Sequence, residues 1–163
     1  MRYRRTYLST HDVSFFLRIN DIPIFCMSNT GNLPDFINNI VENRKNQREA
    51  FAIEQKEIPI IFNSEYIEHR FKNADKDNDY KSNDEIIENY KSFFKKYAYR
   101  GFLCFDRDVE SNIDTPVYRW ICCPEYSKDY TEMVLPTLSV DGFDQKTLLL
   151  NVEGEILPSK EFK

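Results

Sequence analysis

Residues 12–28 read DVSFFLRINDIPIFCMS, and this stretch predicts two neighbouring β-strands. Apolar side chains recur at every second position from Val13 to Ile19, the period that places them on one face of a sheet. A second apolar run begins at Ile22 after the dipeptide Asn-Asp, and such a short polar connection is typical of a β-hairpin. Pro23 cannot donate a ladder hydrogen bond, so we expect it at an edge or facing outward.

Two helices are predicted between this hairpin and the acidic middle of the chain. The first should begin near Leu33, with Asn32 as its cap, and carry an apolar stripe as far as Val41. Its polar second half, residues 42–49, should project into water. After a strand in EIPIIF, a second, shorter helix should follow a cap at Asn63 or Ser64 and extend to Phe71.

A third helix and a series of strands complete the predicted fold. Ser82 and Glu85 match the S-x-x-E capping box, and apolar residues then recur at helical spacing as far as Tyr97. The runs GFLCFD and VYRWICC predict a long hairpin, and MVLPTLSV, TLLLNV and EGEILP add further strands. We therefore expect a single α+β domain over residues 1–163. Its mostly antiparallel sheet should have about five to seven strands, with about three helices packed on one face.

The composition indicates the class of protein but does not identify a function. The chain is 41% hydrophobic and 15% aromatic, with only 4 Gly, so a packed core is expected rather than disorder. Its formal net charge is −5, a balance that disfavours nucleic acid as a partner because phosphate binding depends on clustered Lys and Arg. The four cysteines lack the spacing of a disulfide framework, and no apolar leader or membrane-spanning run occurs, so the cytoplasm is the expected location.

Two groups of carboxylates are the candidate binding residues. Asp75, Asp77 and Asp79 alternate between two predicted helices, where a calcium-binding EF-hand loop would lie. An EF-hand loop counted from either Asp75 or Asp77 lacks some of the residues that the motif requires. The pattern therefore favours a solvated acidic connection.

The second group is Asp106, Asp108 and Glu110, which follow the strand GFLCF and alternate in the same way. This pattern has three interpretations: an acidic edge that faces a basic partner, a charged loop without a specific role, and a metal site.

Other chemical motifs are sparse. Pro34-Asp35 with Glu54 and Lys56 matches the short text of a metal-dependent nuclease, a pattern of low specificity. His11 and His69 are the only histidines, each in a polar setting that gives no nucleophile a base. No glycine-rich phosphate loop or zinc-ligand spacing occurs.

Basic residues occur in two short runs, residues 2–5 and 44–48. The Tyr3 ring within the first run is able to stack on a base.

The sequence therefore favours a non-enzymatic protein-binding module, such as an inhibitor, immunity or counter-defence factor, that recognises a basic protein face. The expected partner is a protein, without nucleic acid, a membrane, a cofactor or a bound metal, and no oligomeric state is predicted. The alternatives are a metal-dependent phosphodiester hydrolase or nuclease and a protein that sequesters a small ligand such as a nucleotide.

Overall fold

The computed structural model describes residues 1–19, 22–33, 39–72, 82–113, 116–129 and 137–139. Within these ranges the strands are β1 (Ser14–Ile19), β2 (Ile22–Met27), β3 (Ile60–Phe62), β4 (Leu103–Arg107), β5 (Val117–Pro124) and β6 (Thr137–Ser139). The helices are α1 (Arg5–Leu8), α2 (Ile40–Ala52), α3 (Ser64–Phe71) and α4 (Asn83–Ala98), and a 3₁₀ turn covers Glu125–Ser127. The strands form one sheet in the order β1-β2-β4-β5-β3, and β6 also pairs with β5.

The sheet is mostly antiparallel, as predicted, but its centre contains one parallel pair. β1 and β2 pair antiparallel, whereas β2 and β4 run in parallel with Met27 beside Asp106. Parallel neighbours need a long crossover, which α2, β3, α3 and α4 supply. The pairing with β4 begins at Ile24, so Pro23 lies where β2 has no neighbour on that side.

The predicted C-terminal hairpin is also present. β4 and β5 pair antiparallel, with an irregular register between Cys104 and Phe105. β3 and β6 both pair with β5, near its opposite ends: Phe62 lies opposite Cys122, and Thr137–Ser139 lies beside the start of the strand. The other strands predicted beyond residue 140 lie outside the described residues.

Helices α3 and α4 begin as their sequences predict. The Asn63 side chain accepts a hydrogen bond from the Tyr66 N–H, and the Ser82 hydroxyl accepts one from the Glu85 N–H at 3.3 Å. Such a cap is typically worth about 1 kcal/mol. The apolar sides of both helices pack on one face of the sheet, in a core that includes Ile67, Phe94, Ala98, Phe16, Phe25, Phe102, Cys104 and Ile121.

Helix α2 differs from the prediction in both its start and its buried side. It begins at Ile40 with Asn39 as its cap, rather than near Leu33, and Val41 is 67% exposed. The residues buried along it are Asn43, Asn46 and Ala50, from the half predicted to project into water. The reason is an edge strand that needs hydrogen bonds: the Asn43 and Gln47 amides both donate to the Ser14 carbonyl of β1.

Chain segments cover both faces of the sheet, so the expectation that the helices pack on one face is only partly correct. The face opposite α3 and α4 packs against the N-terminal segment, including Tyr3 and Leu8, and against Leu33. Helix α2 lies along β1 and contributes Ala50 to the α3–α4 side and Ile40 to the other. The sheet is therefore the middle layer of the molecule.

All four cysteines are unpaired and buried, so their thiols serve as small apolar packing groups. In the described part of the chain, no helix combines the length and apolarity needed to cross a bilayer.

Candidate functional site

The carboxyl ends of the parallel strands β2 and β4 carry most of the polar groups of interest. In open α/β sheets, ligands commonly bind beyond this end of the parallel strands. Two features lie here: a buried group of Arg70, Tyr90 and Asp106, called the ion-pair cluster below, and an open cleft between α1, α2 and α4.

The ion-pair cluster joins α3, α4 and β4. Arg70 Nη2 lies 3.5 Å from Asp106 Oδ2, and the side chains are 11% and 5% exposed. The Tyr90 hydroxyl donates a hydrogen bond to the same carboxylate oxygen, and the guanidinium lies 5.2 Å from the centre of the Tyr90 ring. Arg70 Nη1 also donates to the Arg107 carbonyl at 3.3 Å. One arginine thus connects two helices to the end of the central strand.

Burial sets the protonation of this cluster. Loss of hydration raises the pKa of Asp106 to about 6, even though Arg70 and the Tyr90 hydroxyl favour its ionised form. Burial also raises the pKa of Tyr90 well above its usual value, and the Asp106 charge adds to this effect. Tyr90 therefore keeps its proton at neutral pH and acts as the donor.

The predicted trio Asp106, Asp108 and Glu110 separates into three different environments. Asp106 is buried in the ion-pair cluster, and Asp108 accepts a hydrogen bond from Arg119 Nε at 2.9 Å. Although burial opposes ionisation, the Glu110 N–H and Arg119 lower the pKa of Asp108. Glu110 is exposed, 3.7 Å from the exposed His69. Two of the three carboxylates are therefore occupied by arginines rather than presented to solvent.

The loop after β2 is shaped by a second buried arginine. Asn29 and Thr30 have φ angles of 42° and 60°, in the left-handed region that non-glycine residues rarely adopt. Arg107 Nε donates to the Asn29 carbonyl at 3.0 Å, and its Nη1 donates to the carbonyls of Asp108 and Ser111. These bonds fix the loop against the end of β4.

Asp12 connects this loop to the cleft. Its carboxylate accepts hydrogen bonds from the Asn29 N–H and the Ser28 hydroxyl, and it also lines the cleft. Loss of hydration raises the pKa of Asp12, whereas the Asn29 and Ser28 donors lower it.

The cleft has a volume of about 600 Å³, within the range of small-molecule sites. Its lining contains both charged and aromatic residues. Two cations from α2, Arg44 and Arg48, lie with Gln47, Asp12 and Ser14. The aromatic part of the lining consists of Tyr3, Tyr7, Phe51, Phe93 and Tyr97.

Several of these rings are held in place by neighbours. Tyr7 stacks on His11 with ring centres 3.9 Å apart and planes 7° from parallel, yet it is 41% exposed. Phe51 is 63% exposed, and the Arg100 guanidinium lies 4.7 Å from its ring centre. Arg100 in turn donates to the Ile53 carbonyl at 2.9 Å. The exposed rings therefore belong to ordered surroundings.

The remaining sequence candidates are dispersed or lie elsewhere. Asp75, Asp77 and Asp79, like Asp35 of the nuclease pattern, lie outside the described residues, and Glu54 is exposed. His11 contacts Tyr7 and His69 faces Glu110; neither contact is with a thiol. Within the described ranges, no three His, Cys, Asp or Glu side chains converge as a metal site would require.

The cleft itself is the feature that the sequence pattern did not reveal. The two basic runs, residues 2–5 and 44–48, were the sequence feature that could have indicated it. A hydrogen bond from the Ile40 N–H to the Met1 carbonyl brings their segments close together. Tyr3, the ring singled out from the sequence, is 8% exposed, and Tyr7 is the more accessible one.

The chain matches no known family model, and no curated protein or solved structure shows significant similarity to it.

Proposed function

We propose that the protein is a binding module whose ligand, a small anion with a planar ring such as a nucleotide, occupies the cleft. The observation that carries this proposal is that two arginines and five aromatic rings line the same cleft. Typical ligand sites combine an apolar wall with a few polar groups that fix orientation.

The arginines account for the anionic part of the ligand. Arg44 and Arg48 lie one helical turn apart on α2, so their side chains project from the same side of the helix. A guanidinium group binds phosphate with two parallel hydrogen bonds, which gives direction as well as affinity. Two guanidinium groups in one cleft favour a phosphate group over a neutral ligand.

The aromatic residues account for the planar part. Tyr7 and Phe51 come from different helices and line the cleft, with 41% and 63% of each residue exposed. His11 already stacks on Tyr7, so Phe51 is the more open of the two rings. Stacking of a base on an aromatic side chain is worth about 1–3 kcal/mol. A flat ring is therefore the moiety that this part of the lining recognises best.

Asp12 makes a nucleotide a better candidate than inorganic phosphate. An ionised carboxylate only accepts hydrogen bonds, so it would repel a bare anion but accept from a sugar hydroxyl or an exocyclic amino group. Such a carboxylate beside a phosphate site is a common means of holding a ribose.

Calorimetric titration and thermal unfolding with AMP, ADP and ATP test the proposal, with adenosine and inorganic phosphate as separate controls. We expect the nucleotides to raise the unfolding temperature, because a ligand that binds only the folded state stabilises it. Adenosine and phosphate alone should each bind at least about tenfold more weakly, a difference of about 1.4 kcal/mol.

Variants show whether the nucleotide lies in the cleft. Arg44→Gln/Arg48→Gln should lower the affinity at least about tenfold. Lys72→Gln, at an exposed cation that lines a separate groove between α3 and α4, should leave it unchanged. Absence of nucleotide binding at millimolar concentration, or equal loss in both variants, would count against the proposal.

Two other functions remain predictions: hydrolysis of a phosphodiester and binding to a basic protein. A metal-dependent phosphodiester hydrolase would cleave a cyclic nucleotide or an oligonucleotide when Mg²⁺ or Mn²⁺ is added, and chromatography of the mixtures measures this. The hypothesis of a basic protein partner now depends mainly on Glu110 and on the aspartates outside the described residues, since Asp106 and Asp108 are paired with arginines.

A further inference from the structure

A group of basic side chains lies on the segments beside the cleft of this acidic protein. Six exposed basic side chains lie on the N-terminal segment and α2, and they are called the cationic surface here: Arg2, Arg4, Arg5, Arg44, Lys45 and Arg48. The acidic residues on the same helix are Glu42 and Glu49, and Glu49 lies 3.9 Å from Lys45. The net charge of −5 is therefore an average over unlike surfaces.

Backbone and side-chain contacts hold the two parts of this surface together. The Ile40 N–H donates to the Met1 carbonyl at 2.8 Å, and the Asn43 amide donates to the Tyr3 hydroxyl at 3.0 Å. The N-terminal segment thus lies against the first turns of α2. Cations that are far apart in sequence therefore lie on adjoining segments, and of the six Arg44 and Arg48 line the cleft.

The positions of the rings distinguish a single strand from a duplex. The most exposed aromatic residue of the cleft lining is Phe51 of α2, at 63%, whereas Tyr7 is already stacked with Tyr3 and His11. Proteins that bind single-stranded nucleic acid combine a positively charged groove with aromatic rings on which unpaired bases stack. The bases of a duplex are already stacked on one another, so exposed rings would give it no such contact.

We propose that the cleft holds one nucleotide of a single-stranded nucleic acid, whose sugar–phosphate backbone continues across the cationic surface. This inference rests on the proposed function, because the same cleft receives the base and its phosphate. Cations outside the cleft, among them Arg4 and Lys45, contact the phosphates of neighbouring nucleotides. A strand should therefore bind more tightly than a mononucleotide, and its affinity should fall as salt rises.

Fluorescence anisotropy with labelled oligothymidylate and oligouridylate dodecamers measures the binding, next to a duplex of equal length and unlabelled TMP and UMP as competitors. We expect the strands to bind at least about tenfold more tightly than the mononucleotides. If about four phosphates are contacted, the logarithm of affinity against the logarithm of salt concentration should have a slope of about −3.

Matched double variants locate the strand. Arg4→Gln/Lys45→Gln removes two cations outside the cleft and should weaken strand binding about tenfold without changing mononucleotide binding. Lys72→Gln/Lys91→Gln removes the same charge from the groove between α3 and α4 and should change neither. Phe51→Ala should weaken both ligands, because it removes a stacking surface of the cleft.

The outcomes separate this inference from the proposed function. If mononucleotides bind in the cleft but strands bind no tighter, the inference is wrong and the proposed function stands. If neither the strands nor any of the mononucleotides AMP, TMP and UMP binds, both are wrong. Strand binding that is insensitive to Arg44→Gln/Arg48→Gln, or duplex binding as tight as single-strand binding, would also overturn the inference.

Discussion

The Tyr90 hydroxyl donates a hydrogen bond to Oδ2 of Asp106, and the same oxygen lies 3.5 Å from Arg70 Nη2. One carboxylate oxygen on the central strand thus joins α4 and α3 to the sheet. Because Asp106 is only 3% exposed, its ionisation and the stability of the fold are linked.

The raised pKa of Asp106 predicts that its contribution to stability declines as pH rises. The folded state holds the Asp106 proton more tightly than the unfolded state, so this contribution is complete below about pH 4 and is lost as pH rises to about 6. A shift from 3.8 to about 6 corresponds to roughly 3 kcal/mol. Wild type should lose this contribution as pH rises over the interval, whereas Asp106→Asn should not. The variant should therefore become more stable relative to wild type, as measured by urea denaturation at several pH values. Denaturation curves that shift in parallel in the two proteins would contradict the prediction.

Removal of the arginine should be more damaging than removal of the carboxylate. Arg70→Met leaves Asp106 buried beside Tyr90 without a cation, and breaking a buried pair in this way typically costs about 3–5 kcal/mol. The loss in unfolding free energy should be smaller at pH 5, where Asp106 takes up a proton. Arg119→Met is the matched control: its side chain is 39% exposed, so its pair with Asp108 should contribute at most about 1 kcal/mol. Equal losses of unfolding free energy in the two variants would show that burial of the ion pair does not determine the cost of breaking it.

Gly31 is expected to tolerate no side chain. A Cβ atom there would overlap Cδ of Arg107 and lie 2.9 Å from its Nε. Arg107 cannot easily move, because its guanidinium donates to the carbonyls of Asn29, Asp108 and Ser111. Gly31→Ala should lower the unfolding free energy by about 1–3 kcal/mol, as overpacking does.

A double-mutant cycle tests this cause. In an Arg107→Ala background the added methyl group has space, so Gly31→Ala should then cost much less. An unchanged cost would point to the backbone of Gly31 rather than to the arginine.

The cap of α4 gives a local prediction. Ser82→Ala removes the oxygen that accepts the Glu85 N–H and should lower the unfolding free energy by about 1 kcal/mol, whereas Ser82→Asp should retain most of it. Chemical denaturation of the three proteins measures the difference. A Ser82→Asp variant as unstable as Ser82→Ala would mean that the hydroxyl, rather than a capping acceptor, is required.

Features that depend on neighbouring residues could be predicted from the sequence. The capping residue Ser82 is three residues from the N–H that it accepts, and the β1–β2 pairing follows from alternation over a few positions. The buried side of α2 could not be predicted, because it is set by hydrogen bonds from Asn43 and Gln47 to Ser14 on a distant strand. An amphipathic pattern does not record such polar partners.

The candidate site shows the same limit. Alternation along the chain selected Asp106, Asp108 and Glu110 as an acidic edge, and two of these carboxylates are instead paired with arginines. Arg70 and Arg119 come from other elements, and no spacing in the sequence indicates that they pair with these carboxylates. The cleft required three segments to meet, although Arg44 and Arg48 stood out as a basic run.

The parallel ladder between β2 and β4 has a consequence for how the chain is made. During synthesis the β1–β2 hairpin leaves the ribosome long before β4 exists, so the inner edge of β2 stays unpaired while α2, β3, α3 and α4 are added. Contacts between such distant segments slow folding, and an open strand edge invites pairing with another chain in the meantime. Newly made protein should therefore pass through an aggregation-prone stage that ends when Leu103–Arg107 pairs with β2.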